Sequence, residues 1–119
     1  MNSKEQICHE AEVLAREILT SYFCDSDVEC LISTLAPDVL WLGGGKEMRA
    51  QGREAVTAAF RNAGEMIAYD LTEEHYDTMD MGGGIYLCQG IGWITSKPGQ
   101  QMYARYHQRC TFLFRETPH

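Results

Sequence analysis

The sequence predicts an α+β domain, with helices in its first half and an antiparallel sheet in its second. Three observations point there. Apolar residues recur at helical spacing up to about residue 64; beyond Met66 that period is replaced by three long alternating runs; and the breaks between the runs are short and glycine-rich. At 119 residues the chain reads as one domain, 1–119, able to bury roughly two thirds of its unfolded surface without staples.

The elements follow in order. Ser3 with Gln6 has the form of a capping box and leads into Ile7, Ala11, Leu14, Ala15, Ile18, Leu19 and Tyr22, so a long first helix is expected from about 3 to 23. Ser26 with Glu29 repeats the signature before Val28, Leu31, Ile32 and Leu35, and Pro37 ends this short second helix. Asp38 to Leu42, DVLWL, reads as a strand broken by Gly43, Gly44 and Gly45. Gly52 opens a third helix whose stripe is Val56, Ala59, Phe60 and Ala63, with Gly64 as its C-terminal cap.

Three extended runs then form a meander: IAYDLTEEHYDTMD, IYLCQGIGWITS and MYARYHQRCTFLFRE. Gly82 to Gly84 separate the first two, and the Pro98-Gly99 turn separates the last two. Glycine inside a strand marks bending or close approach, and Gly90 and Gly92 fall on the face opposite Trp93. In the last run, Tyr103, Arg105, His107 and Arg109 share one face, while Ala104, Tyr106, Cys110, Phe112 and Phe114 share the other. The second face is the more apolar, so it is expected toward the helices, with the cationic row outward.

Composition excludes several classes. The net charge of -7 argues against a nucleic-acid surface. Charge is uneven: residues 1–80 hold 16 acids against 6 bases, whereas residues 81–119 hold Glu116 against Lys97, Arg105, Arg109 and Arg115. Five cysteines without a CxxC pair suggest neither a disulfide framework nor a zinc site. His9, His75, His107 and His119 have no metal-ligand spacing, so no metal or cofactor is expected. The GGGK at 43–46 lacks the rest of a phosphate loop, and EEHYD at 73–77 reads as a solvated strand face. With no long apolar run and no signal-peptide pattern at its start, the chain reads as cytoplasmic, without a membrane span.

The run from APDVLWLGGG through GREAVTAAF to RCTFLFRE resembles the nuclear transport factor 2-like superfamily, in particular its SnoaL-like, ketosteroid-isomerase-like branch. The resemblance implies a cystatin-like cone: three helices, one of them long, against a strongly curved antiparallel sheet, with a pocket between them and usually a homodimer through the sheet. It also implies a closing strand after RCTFLFRE. The expectation is that this chain is a shortened form, or that a second copy covers the gap between DVLWL and the last strand. The family's isomerase base would fall at about Leu42 or Gly43, and its tyrosine near Leu19, one turn from Tyr22; neither Leu42 nor Gly43 can take a proton.

Three functions follow as expectations. The first is a small-molecule-binding or sensory domain whose pocket is bordered by Tyr22, Trp41 and Trp93, joined by Tyr103 and His107 if the cationic row faces inward. The second is an isomerase, dehydratase or cyclase using Tyr22 with His107 or Asp38. The third is a homodimerisation module without a ligand. Indole rings suit an apolar pocket with one polar demand, although they serve equally well as core.

Overall fold

Helix α1 (Lys4–Leu19) starts where the serine signal places it, in a computed structural model that describes residues 3–62, 68–99 and 103–117. The Ser3 hydroxyl accepts the Gln6 backbone N–H at 3.1 Å. The helix does not end as an α-helix. Thr20–Cys24 is a π-turn, closed by the Asp25 N–H donating to the Thr20 carbonyl at 3.2 Å, and Lys97 Nζ from the sheet donates to the Cys24 carbonyl at 2.8 Å. Such wide turns re-aim side chains relative to the helix before them. Here they carry Tyr22 and Phe23.

Helix α2 (Glu29–Ser33) is shorter than its apolar spacing suggests, and the expected Ser26 capping box does not form. Ser26 sits at φ 53, outside the helical region, and the Asp27 carboxylate instead accepts the Glu29 N–H at 2.9 Å. A capping role thus passes to the next side chain able to accept. Strand β1 (Leu40–Leu42) matches part of DVLWL, and it pairs antiparallel with a strand the sequence did not announce, β2 (Arg49–Gln51). The glycine run is therefore inside a hairpin rather than a terminus of the strand pattern. Helix α3 (Arg53–Arg61) buries Val56 and half-buries Ala59 and Phe60; the expected Ala63 and Gly64 lie outside the described residues. Arg53 donates through Nε and Nη2 to the Leu35 carbonyl at 2.9 and 2.7 Å, tying the end of α2 to the start of α3.

The meander is β3 (Tyr69–Gly82), β4 (Ile85–Ser96) and β5 (Arg105–Arg115), a three-stranded antiparallel sheet in that order. Gly82, Gly83 and Gly84 all take positive φ in the first turn, which a side chain would resist. The β4–β5 ladder runs without interruption from Ile85↔Arg115 to Thr95↔Arg105, whereas β3 slips register between Thr72 and His75, where Glu73 takes φ 53. Alternation decides burial on β4: Tyr86, Cys88, Gly90, Gly92, Ile94 and Ser96 are buried, and the odd-numbered residues between them half-buried.

The core lies between α1 and the even face of β4. Ala15 and Leu19 of α1 pack with Tyr76 and Cys88, and Phe23, Leu71, Cys110, Phe112 and Phe114 close around them. Among the described residues the two sheets share no ladder; the Arg115 guanidinium at the end of β5 reaches the Asp38 carboxylate, two residues before β1, at 3.0 Å. The accessible surface, 8190 Å², exceeds the roughly 6,500 Å² expected of a compact 13.5 kDa monomer.

Candidate functional site

Six aromatic rings from five elements form one chain of contacts. Trp41 of β1 meets Phe60 of α3 edge-to-face at 5.1 Å, Phe60 meets Tyr22 at 5.8 Å, and Tyr22 meets Phe23 at 5.0 Å. Phe23 then meets Tyr69 of β3 at 6.1 Å, and Tyr69 meets Tyr106 of β5 at 6.1 Å. These are favourable ring separations. None of the six is buried, and Tyr106 remains 44 % exposed. The chain of rings runs from the hairpin through α3 and the π-turn to the larger sheet, and Phe23 within it also packs against the core.

The polar demand is met by hydroxyls. The Tyr69 and Tyr106 hydroxyls share a hydrogen bond at 3.1 Å. That bond, then burial, pushes the Tyr69 phenol up to about 12. Burial raises the Tyr22 phenol, with Cys110 and Tyr106 adding to it, and burial raises the Cys110 thiol against a hydrogen bond from Gln108 that lowers it. The array is thus a set of π faces with neutral donors and acceptors at neutral pH. Because Tyr69 binds its proton more tightly folded than at the ordinary value of 10.0, its contribution is present below pH 10 and is lost as pH rises through about 12. Tyr69→Phe should accordingly lessen the loss of stability between pH 10 and 12, read by urea denaturation at stepped pH; an unchanged alkaline profile would contradict the hydroxyl pairing.

Of the five candidate pocket residues, the structure brings together Tyr22 and Trp41, linked through Phe60. Trp93 and His107 lie on the opposite face of the sheet. Odd-numbered β4 residues point away from α1, so Trp93 stacks on its cross-strand partner His107 at 4.5 Å and 7°, with the Arg105 guanidinium 4.4 Å over the indole and held by Thr95 Oγ1 at 2.7 Å. Tyr103, before β5, is 75 % exposed. A single pocket bordered by all five does not exist in this arrangement, and the cationic row faces outward. The rings in contact around Tyr22 and Trp41 are instead Phe23, Phe60, Tyr69 and Tyr106.

The acid–base pairs considered for an enzyme are also separated. His107 is across the sheet from Tyr22, and the Asp38 carboxylate is engaged with Arg115, whose hydrogen bond holds it below its usual range. A shallow depression beside Pro37, Gln51 and the first turns of α3 has no aromatic lining. Among the described residues no group of three or more His, Cys, Asp or Glu side chains is placed to hold a metal, and no helix is long and apolar enough to cross a membrane.

No family model, curated protein or solved structure matches the chain.

Proposed function

We propose that this chain is a binding domain for a small apolar or amphipathic molecule, seated against the aromatic array on a cone-like fold of the nuclear transport factor 2 type. One observation carries the reading: six contacting rings from five elements, none buried, with three tyrosine hydroxyls among them. Binding sites commonly combine apolar lining with a few placed polar groups. The hydrogen bond within the array joins two tyrosine hydroxyls, a polar anchor of the kind binding sites use. Ligand-detected NMR against a panel of steroid-like compounds and aromatic acids tests it. Saturation transfer to at least one compound, lost in Tyr22→Ala, supports binding; no transfer across the panel overturns it.

A second reading, compatible with the first, is that the outward face of the sheet meets a second copy. Ile85, Leu87, Ile91 and Trp93 of β4 form an apolar spine there, with Asp70 and Asp77 of β3 on one side and Arg105, Arg109 and Arg115 of β5 on the other. A two-fold axis parallel to the strands lays β3 of one copy over β5 of the other, and since Asp70 and Arg105 share a level across Thr95, each Asp70 then meets an Arg105. An axis across the strands would set acid on acid. Asp70→Lys and Arg105→Asp should each weaken association by about tenfold and together restore it. Sedimentation velocity reads this, and a double variant as weak as the singles would contradict the axis.

A further inference from the structure

The two long edges of the meander are not alike. Edge strands expose a row of unpaired N–H and C=O groups, which proteins guard with bulges, charges, proline or cover. On β3 the guard is a bulge at Glu73 and five carboxylates, Asp70, Glu73, Glu74, Asp77 and Asp80, in fourteen residues. The β5 edge has no bulge, proline or glycine, only the charges of Arg105, Arg109 and Arg115: its eleven residues are in unbroken register with β4. Among the described residues nothing pairs with its far side.

Which groups that side presents can be derived. The Ser96 N–H donates to the Ala104 carbonyl at 2.9 Å and the Glu116 N–H to the Gly84 carbonyl at 2.7 Å, so the even-numbered residues of the strand turn their backbone groups to β4. The backbone groups of Arg105, His107, Arg109, Thr111, Leu113 and Arg115 therefore point to the open edge. The same residues send their side chains to the helix-free face, and all six are exposed. Tyr106, Cys110, Phe112 and Phe114 take the other face, where Phe112 and Phe114 stack at 5.4 Å.

We propose that β5 is a docking edge for an extended partner segment in which acidic and apolar residues alternate. Added as a strand, such a segment has its backbone bonded to the odd-numbered β5 residues. Its acidic side chains fall beside Arg105 and Arg109, Arg115 being engaged by Asp38, and its apolar ones beside Tyr106, Phe112 and Phe114. Cross-strand pairs set the preference: opposite charges across a ladder are favourable and like charges are not. That selects against a second copy's own β5, which would set one cationic row against another. The second copy's β3 is acidic, but its bulge interrupts the regular ladder that β5 offers. The occupant is accordingly a partner segment that is acidic and strand-forming. This edge adjoins both other surfaces: Tyr106 also belongs to the aromatic array, and Arg105, Arg109 and Arg115 also belong to the face proposed for self-association.

The test uses the full chain and a capped, dye-labelled peptide of about nine residues alternating Val and Glu, enough to span most of β5. Its control has Lys in place of Glu. Fluorescence anisotropy should give saturable binding of the acidic peptide, weakened by added salt, and at least about tenfold weaker for the Lys peptide. Hydrogen exchange should slow at the amides of His107, Arg109, Thr111 and Leu113 on peptide addition. Thr111→Pro removes one edge donor without removing a bond to β4, and should abolish binding; Arg109→Glu leaves the backbone untouched and should weaken it by about tenfold. Circular dichroism checks that both variants fold. Absence of binding, equal binding of the Lys peptide, or protection of those amides already present in the chain alone and growing with its concentration would overturn the proposal, the last by making the occupant a second copy.

Discussion

Gly90→Val should destabilise the chain by about 3 kcal/mol, a large part of the 5–15 kcal/mol typical of a domain. A Cβ at Gly90 would stand 2.7 and 2.9 Å from two carbons of the Tyr76 ring and 3.6 Å from Leu19 Cδ1, so the ring lies directly on the β4 backbone. Tyr76 cannot simply move aside. Its hydroxyl donates to Glu74 Oε1 at 2.7 Å, the Arg16 guanidinium lies 5.1 Å over its ring, and Arg16 Nε approaches the same Glu74 carboxylate at 3.6 Å. Overpacking at this point therefore pushes on α1 as well as on β3. Urea denaturation measures the loss, and Tyr76→Ala provides the control: it should cost much less in the Gly90→Val background than in the wild type, because the clash disappears with the ring. Additive losses would mean that the two positions do not touch.

Phe60→Ala should cost about 2 kcal/mol, less than a fully buried phenylalanine because the ring is half exposed. Its local effect should be larger than its global one. Phe60 is the ring between Trp41 of the hairpin and Tyr22 of the π-turn, and the hairpin shares no ladder with the larger sheet among the described residues. Without that ring, the amides of the β1–β2 pair should exchange faster while those of β4 are little changed, and binding at the array should be lost. Phe60→Leu separates volume from ring contact: it should restore most of the stability but not the binding. Unchanged hairpin protection in Phe60→Ala would contradict the linking role.

The element types were legible wherever a period ran long enough. The residues of α1 announced a helix through Ala11, Ala15, Ile18 and Leu19, and β4 matched its alternating run from Ile85 to Ser96. Short elements were not legible. Arg49–Gln51 is too brief to alternate visibly, and Ser26 resembled a cap that Asp27 supplied instead. Tyr22 and Trp41 were placed together by their elements, but Trp93 was drawn in by its indole and by the strand that carries it, against the parity that puts it opposite Gly90 and Gly92. The π-turn that aims Tyr22 and Phe23 has no sequence signal of its own. Tyr106 could have been found, because it shares the more apolar face of the last run with Cys110, Phe112 and Phe114. The face of Tyr69 depends on the register slip between Thr72 and His75, which has no sequence signal of its own.

The two tryptophans offer the most direct test of ligand binding at the array, because Trp41 belongs to it and Trp93 lies across the sheet stacked on His107. Trp93→Phe leaves Trp41 as the sole indole, and Trp41→Phe leaves Trp93. Titration with the same panel of steroid-like compounds and aromatic acids should produce a saturable change in emission when Trp41 is the reporter and none when Trp93 is. A response confined to Trp93, or no saturable response from Trp41 to any member of the panel, would contradict the account.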